Sequence, residues 1–414
     1  VIDAAARASR AARDRRSGAR RGRRAAGARA LTGLLAACLA LALAAAPAGA
    51  AEWLAGDLHV HTTYSHDAWG GPGDEDTGPE DAHTLGHSVE GQFLIAASRG
   101  LDYLAITDHN DVRSVDDPGF GAFGVIPVSG YEASLRGHAQ MLGATRVYDP
   151  GERTAADVRR IAAQLRAPPD RGVLQVNHPA EGSTDFPHDA DWGYGYEVAP
   201  DVVEVWNIST LWQPPLPSAS SNDDAVRYWE GWLDRGRRVA ATGGSDSHWV
   251  STTGAQGAGQ PTTWVLAEER SPRGVLEGLR RGHTFISHQP PAHGGPRLFL
   301  EADPAGDGSF AATVGDRVPP DSLLRARVLG APGAELRVVV DGGEELEAVP
   351  VTGEAFEHRF RAPAGATWVR AELVGPDLPA ERRALCDEAF GGETTYCRNR
   401  LLRLALTSAI YLRG

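Results

Sequence analysis

From Glu52 to about Ser287 the chain alternates short apolar runs with stretches whose apolar residues return every three or four positions. Ser88–Arg99 predicts a helix: Ser88 stands at the N-cap, Val89, Phe93, Ala96 and Ala97 share one face, and Gly100 suits the C′ position. Thr154–Arg166 predicts a second capped helix, and Asp223–Arg235 a third closed by Gly236. Between them Leu101–Thr107, Val125–Ser129, Gly172–Asn177, Val202–Trp206 and Arg237–Thr242 read as strands, the rhythm of a parallel α/β protein. Beyond Ser287 the helical period disappears. Arg297–Leu300, Leu323–Leu329, Ala334–Asp341, Phe356–Arg361, Thr367–Leu373 and Leu402–Leu406 alternate with turn residues, which predicts a small all-β sandwich over residues 289–414 after an α/β unit over 51–288.

The polar residues fall at the carboxyl ends of the predicted strands. The run Asp57–Asp67, DLHVHTTYSHD, holds His59 and His61 two apart, so a strand turns both rings the same way. Asp108 and His109 follow LDYLAIT, Glu132 follows VIPVSGY with His138 six residues on, and His178 follows GVLQVN. Glu204 and Asn207 lie in VEVWN, and Asp246 and His248 follow RRVAATGGS. In an α/β barrel the strand C-termini share one face, and that face carries the active site. Imidazole and carboxylate donors without thiolates suit zinc, iron or manganese, and a carboxylate can bridge two ions.

Composition narrows the chemistry further. The first 50 residues contain ten Arg and two Asp, then the apolar run Leu31–Ala46 and Pro47-Ala48-Gly49-Ala50, which reads as a cleaved export signal with the mature chain beginning near Ala51. Arginine pairs such as Arg15-Arg16 hint at twin-arginine export, and Leu35-Ala36-Ala37-Cys38 lies too early in the apolar run for a lipoprotein box. Losing those ten positive and two negative charges takes the formal balance from −13 to −21, which argues against general nucleic-acid binding; the mature chain is also expected to hold no stable membrane span. There is no lysine, which excludes a Walker-type phosphate loop and Schiff-base chemistry. Cys38 leaves with the signal, and Cys386 and Cys397 are expected to form a disulfide in an oxidising compartment.

The ordered set DLHVHTTYSHDA, LAITDHN, GYEAS with GHAQMLG, VNHP, VEVWN and GGSDSH resembles the PHP (polymerase and histidinol phosphatase) superfamily of metallohydrolases. VEVWN, GGSDSH, RRGHTFIS and ALTSAIYL look most like its CehA/McbA-like branch. The resemblance implies an α/β fold, a distorted (β/α)7 TIM-like barrel, holding two or three divalent ions (Mn, Fe or Zn). His59, His61, Glu132 and Asp246 would hold one ion, Glu132 would bridge to a second held by His138 and His178, and Asp67, His109 and His248 would serve a third. His66 is the alternative to Asp67.

The expected activity is an exported, periplasmic or extracellular, phosphomonoesterase or phosphodiesterase in which a metal-bound hydroxide attacks a small or singly charged ester. Glu132 and Asp246 would then be catalytic through the ions, and Asp108 would orient a ligand or accept a proton. Arg136 is a candidate phosphate clamp, Asn207 a candidate substrate contact, and Trp192, with Tyr194 and Tyr196, a candidate pocket wall. A carboxylic-ester or carbamate hydrolase is the competing reading. A third is an inactive, metal-stabilised binding module.

Overall fold

The computed structural model describes residues 51–66, 68, 88–180, 191–208, 218–248, 257–377 and 401–412. Asp67, Cys38, Cys386 and Cys397 lie outside these, and with them the third-ion carboxylate and the disulfide. Among the described residues no helix is long and apolar enough to cross a membrane.

The first part runs β1 (Glu52–Asp57), α1 (Val89–Ser98), β2 (Tyr103–Ala105), β3 (Ile126–Val128), β4 (Glu132–Leu135), β5 (Gly137–Leu142) and α2 (Ala155–Arg166). It continues through β6 (Val173–Val176), β7 (Val202–Asn207), α3 (Ser218–Asp234), β8 (Ala240–Gly244), β9 (Thr262–Ala267), α4 (Pro272–Arg281) and β10 (Thr284–Ser287). Helix starts follow side-chain chemistry. Ser88 accepts from Gly91 N ahead of α1, and Thr154 and Asp157 form a reciprocal capping box on α2. Helix α4 has Ser271 as cap and Pro272 in its first turn, and it ends at Gly282, whose φ of 78° suits a residue without Cβ.

The fold is mixed α/β, and its sheets are open. One sheet has the order β4-β5-β6-β7-β8; in the other, β1 pairs in parallel with β2, β2 with β3, and β1 antiparallel with β9. A closed barrel with a continuous ladder is therefore not what forms. The sheets meet through isolated parallel bridges instead, Val60 with Ser247 and His109 with Glu132. Nor is the strand arrangement all parallel: β4 and β5 make an antiparallel hairpin, and β5 is antiparallel to β6. Strand starts such as Leu54, Tyr103, Val173, Val202 and Ala240 pack with Val275, Leu276 and Leu279 of α4 in one buried cluster. The helix thus seals the end of the strands away from their carboxyl termini, where the polar residues gather.

The later part comprises β11 (Arg297–Asp303), β12 (Ala312–Thr313), β13 (Arg317–Val318), β14 (Leu323–Leu329) and β15 (Glu335–Val340). After these come β16 (Glu344–Pro350), β17 (Ala355–Phe360), β18 (Trp368–Asp377), β19 (Leu401–Thr407) and β20 (Ile410–Leu412). The sheet β12-β11-β14-β17 packs its apolar positions, Leu298, Leu300, Leu324, Ala326 and Val328, against Leu336, Val338, Val369, Ala371 and Leu373 of β15 and β18. Residues 297–412 thus contribute two packed β layers. The second layer is continuous with the first part, because β10 pairs antiparallel with β19.

Candidate metal centre

The segment after β1 keeps the strand's course. Asp246 N donates to His59 O, His61 N to Ser247 O and Thr107 N to Val60 O, each at 2.9 Å, so the His59–His61 stretch is gripped on both sides. Asp57, fully buried, accepts from His59 N at 3.0 Å, Ser245 N at 3.2 Å and Gly259 N at 2.6 Å. Both rings consequently point to one place.

Four donor atoms converge there. His59 Nε2 lies 3.1 Å from His61 Nε2, 3.3 Å from Glu132 Oε2 and 3.2 Å from Asp246 Oδ1. His61 Nε2 is 3.4 Å from Glu132 Oε2 and 3.1 Å from Asp246 Oδ1. Tetrahedral ligands at the usual zinc distances stand about 3.3–3.4 Å from one another. The side-chain set therefore already has the spacing of a coordination shell.

With neutral rings, hydrogen bonding does not account for this arrangement. His59 Nδ1 meets Glu204 Oε1 at 3.0 Å, and an ionised carboxylate only accepts, so the ring proton belongs on Nδ1. Neutral His59 then aims a bare Nε2 at two carboxylate oxygens, which calls for a cation. Burial works against a charged His59, yet Asp246, Glu132 and Glu204 outweigh it and raise its pKa well above the imidazole range. Burial likewise opposes ionised Glu132 and Asp246, and the surrounding imidazoles reverse that, holding both well below their usual values. The donor set fits a divalent ion.

Glu132 divides the cluster between its two oxygens. Oε2 faces His59, His61 and, at 3.3 Å, His109; Oε1 faces His138 Nδ1 and His178 Nε2, both at 3.3 Å, and accepts from Asn177 Nδ2 at 2.7 Å. The β4–β5 hairpin sets this by placing Glu132 and His138 on adjoining strands. Further donor groups are His61 with His109 and His248, and His109 with Glu132 and His138. The His61 and His248 rings stack at 4.0 Å. His138 and His248, 26% and 20% exposed, form the solvent side of the cluster.

The other anticipated residues are placed differently. Asp108 is buried and accepts from the backbone N and hydroxyl of Thr62; burial pushes its pKa up to about 6. It thus holds the turn after His61. Asn207 is buried, and its Nδ2 lies 3.2 Å from Glu204 Oε2 and 3.3 Å from Asp246 Oδ2, so it contacts two carboxylates of the centre. Trp192 sits in the core beside Tyr194, and Arg136 is exposed with its guanidinium over the Tyr194 ring. His66 is exposed, its ring 5.1 Å from that of His109. A separate cleft of about 570 Å³, beside α4 and residues 168–171, is lined by none of the cluster residues.

Glu204 is the member that strand-end reading noticed without assigning. Its Oε1 takes the His59 proton, while Oε2 accepts from His178 N at 3.1 Å and from Asn207. Gly244 leaves the room for this, since a Cβ there would collide with Glu204 Oε1 and the His59 Cβ. The signal was available in the alternation of VEVWN, which sends Glu204 inward with Val203 and Val205 opposed. Its partner across the strands was not.

A family model described as a protein of unknown function (DUF3604) matches residues 49–115, a stretch that includes His59, His61 and His109. No curated protein matches. Among solved structures, the chain is similar to a two-domain protein from Bacteroides vulgatus containing a predicted PHP-like metal-dependent phosphoesterase. That similarity has 15% identity and a TM-score of 0.40, over 78% of this chain and 90% of that one. It is also similar to a Bifidobacterium adolescentis protein inferred to be a metal-dependent phosphoesterase, with 15% identity and a TM-score of 0.30 over 54% of this chain and 95% of that one.

Proposed function

We propose that the protein is an exported metal-dependent hydrolase of the PHP superfamily type, acting as a phosphoesterase on small phosphate mono- or diesters. The observation that carries this reading is the convergence of His59, His61, Glu132 and Asp246 with donor separations of 3.1–3.4 Å. The two-sided use of Glu132 supports a second ion beside the first, held with His138 and His178, and His109 with His248 extends the row. The bridges Val60–Ser247 and His109–Glu132 support a distorted seven-strand barrel as the parent fold.

Divalent ions in such a row supply Lewis acidity to a phosphoryl oxygen and acidify water. The chain's own residues set the terms for this chemistry. Glu204 and Asn177 hold His59 and Glu132 in fixed orientations, and buried neighbours keep bulk water from their inner sides. His138 and His248, 26% and 20% exposed, lie at the solvent side, from which an ester would approach the row. Strong overall acidity disfavours polyanionic substrates away from the cations.

The test is p-nitrophenol release by purified protein loaded with manganese, iron or zinc. Aryl phosphate mono- and diesters are offered beside an aryl acetate and an aryl carbamate, with His59→Ala as control. Phosphate-ester turnover that vanishes in the control is expected. Acyl or carbamoyl turnover alone would make the ester or carbamate hydrolase the correct reading, and inertness of the loaded protein toward all four would favour a binding module.

A further inference from the structure

The geometry points to a task for the C-terminal β-domain: it braces the metal centre through α3, and Asn222 is the positioning residue at the end of that brace. This rests on the metal-centre reading above.

Helix α3 presents two adjoining faces. Val226, Trp229 and Leu233 are buried in the core cluster that also holds Val203, Val205 and Ala241 of β7 and β8, and Trp229 Nε1 donates to Val239 O at 2.8 Å. Asp223, Glu230 and Asp234, spaced seven and four apart, lie on the neighbouring face. Each meets the C-terminal domain. Arg403 Nη2 lies 3.1 Å from Asp223 Oδ1, Arg370 Nε donates to Glu230 Oε1 at 2.8 Å, and Trp368 Nε1 donates to Asp234 Oδ1 at 2.9 Å. Strands β18 and β19 thus fix the helix at three points along its length.

The helix passes that fixation inward at Asn222, which is 6% exposed. Its Oδ1 accepts from Asn207 N at 2.9 Å, and its Nδ2 donates to Asn207 O at 3.1 Å. A two-point grip on one residue's backbone sets both its height and its rotation. Asn207 in turn reaches Glu204 Oε2 and Asp246 Oδ2 with Nδ2. Glu204 orients His59, and Asp246 is one of the four convergent donors. Asp246 needs an external hold, because its backbone sits at φ 50°, a conformation a residue with Cβ adopts rarely. The β7–β8 ladder pairs Asn207 with Gly244 on one side, and the amide of Asn222 holds the backbone of Asn207 on the other, where apolar packing of α3 alone would leave it without partners.

The experiment compares the full chain with Asn222→Leu, which loses both bonds, Asn222→Asp, which keeps the acceptor, and Trp368→Phe, which loses only the far contact to Asp234. The readouts are the Mn²⁺ dissociation constant by calorimetry, the visible absorption of the Co²⁺-loaded protein, and the far-ultraviolet dichroism of the metal-free protein. Asn222→Leu is expected to weaken Mn²⁺ binding about 10- to 100-fold and change the Co²⁺ bands, with metal-free dichroism preserved. Asn222→Asp should fall between it and wild type, and Trp368→Phe should shift affinity in the same direction by less. If Asn222→Leu does not fold, Asn222→Asp carries the decision by its affinity and Co²⁺ spectrum. Wild-type affinity and spectrum in the folded Asn222 variants would overturn the inference and leave the hydrolase reading intact. A wild-type protein that binds no divalent ion would overturn the hydrolase reading, and the brace would fall with it.

Discussion

Among the described residues, the buried charges around Arg370 and those around His59 are built on opposite logic. Around Arg370 each charge has a counterpart: the guanidinium holds Glu230 and Glu372 at 2.8 Å, and Arg403 holds Asp223 at 3.1 Å. Burial would raise the Glu372 pKa, but Arg370 and Arg403 outweigh it and bring it to about 2. Around His59, acceptor atoms face acceptor atoms across 3.1–3.4 Å, and Glu132 Oε2 and Asp246 Oδ1 face rings that would have to carry protons to pair with them. A closed network of donors and acceptors is structural. One that converges without closing marks where a cation belongs.

The largest effect should come from Glu132→Ala, which removes the carboxylate facing five rings. Turnover of an aryl phosphate by the loaded protein is expected to fall on the order of 10³-fold or more while the fold survives. Retained turnover would break the contrast by showing the convergent cluster to be structural too. Next, Arg370→Met leaves Glu230 buried without its guanidinium and Glu372 with Arg403 alone, and urea unfolding should show a loss of roughly 3–5 kcal/mol. A loss below about 1 kcal/mol would mean that the network is not sealed from water as its burial implies.

Acid separates the two clusters without mutation. The folded pKa of Glu372 lies below its ordinary value of 4.5, so its stabilising contribution is complete above about pH 4.5 and lost only as pH falls toward about 2. Imidazole ligands must be deprotonated to hold an ion, so metal should leave as pH falls through the imidazole range, about 6.5 and below, before the arginine network fails. Metal content after gel filtration and dichroism, measured along one titration, check this; coincident loss would contradict it. The smallest effect belongs to Glu277→Gln, which breaks the solvated Arg273–Glu277 pair on α4 and should leave the urea midpoint unchanged in the same assay.

Legibility of these features followed their range along the chain. The caps at Ser88 and Thr154 and the strand Leu323–Leu329 are local, and the structure has them where the pattern places them. The convergence of His59, His61, Glu132 and Asp246 was readable because each follows a strand and strand ends share a face. What pairing decides was not readable. The β4–β5 hairpin turns direction within an otherwise parallel rhythm, and β9 and α4 carry no polar strand-end signal. Strand β16, EELEAVP, is so acidic that its alternation is hidden, and it forms because β15 offers it a paired edge. Helix α3 begins at Ser218 rather than Asp223, its first turn being Ser- and Asn-rich and poor in apolar signal. The links Glu204–His59 and Asn222–Asn207 depend on side chains meeting across elements, which no local period encodes.

The pairing of β10 with β19 has a consequence for biosynthesis. A ribosome delivers β10 well before β19, so the nascent first part waits with one strand edge unpaired while the sandwich is translated. Arg370 and Arg403, which hold α3, arrive in that same late stretch. On the brace proposed above, chain order makes the geometry of the histidine cluster a product of completed synthesis, and a stalled or clipped polypeptide would present those histidines without it.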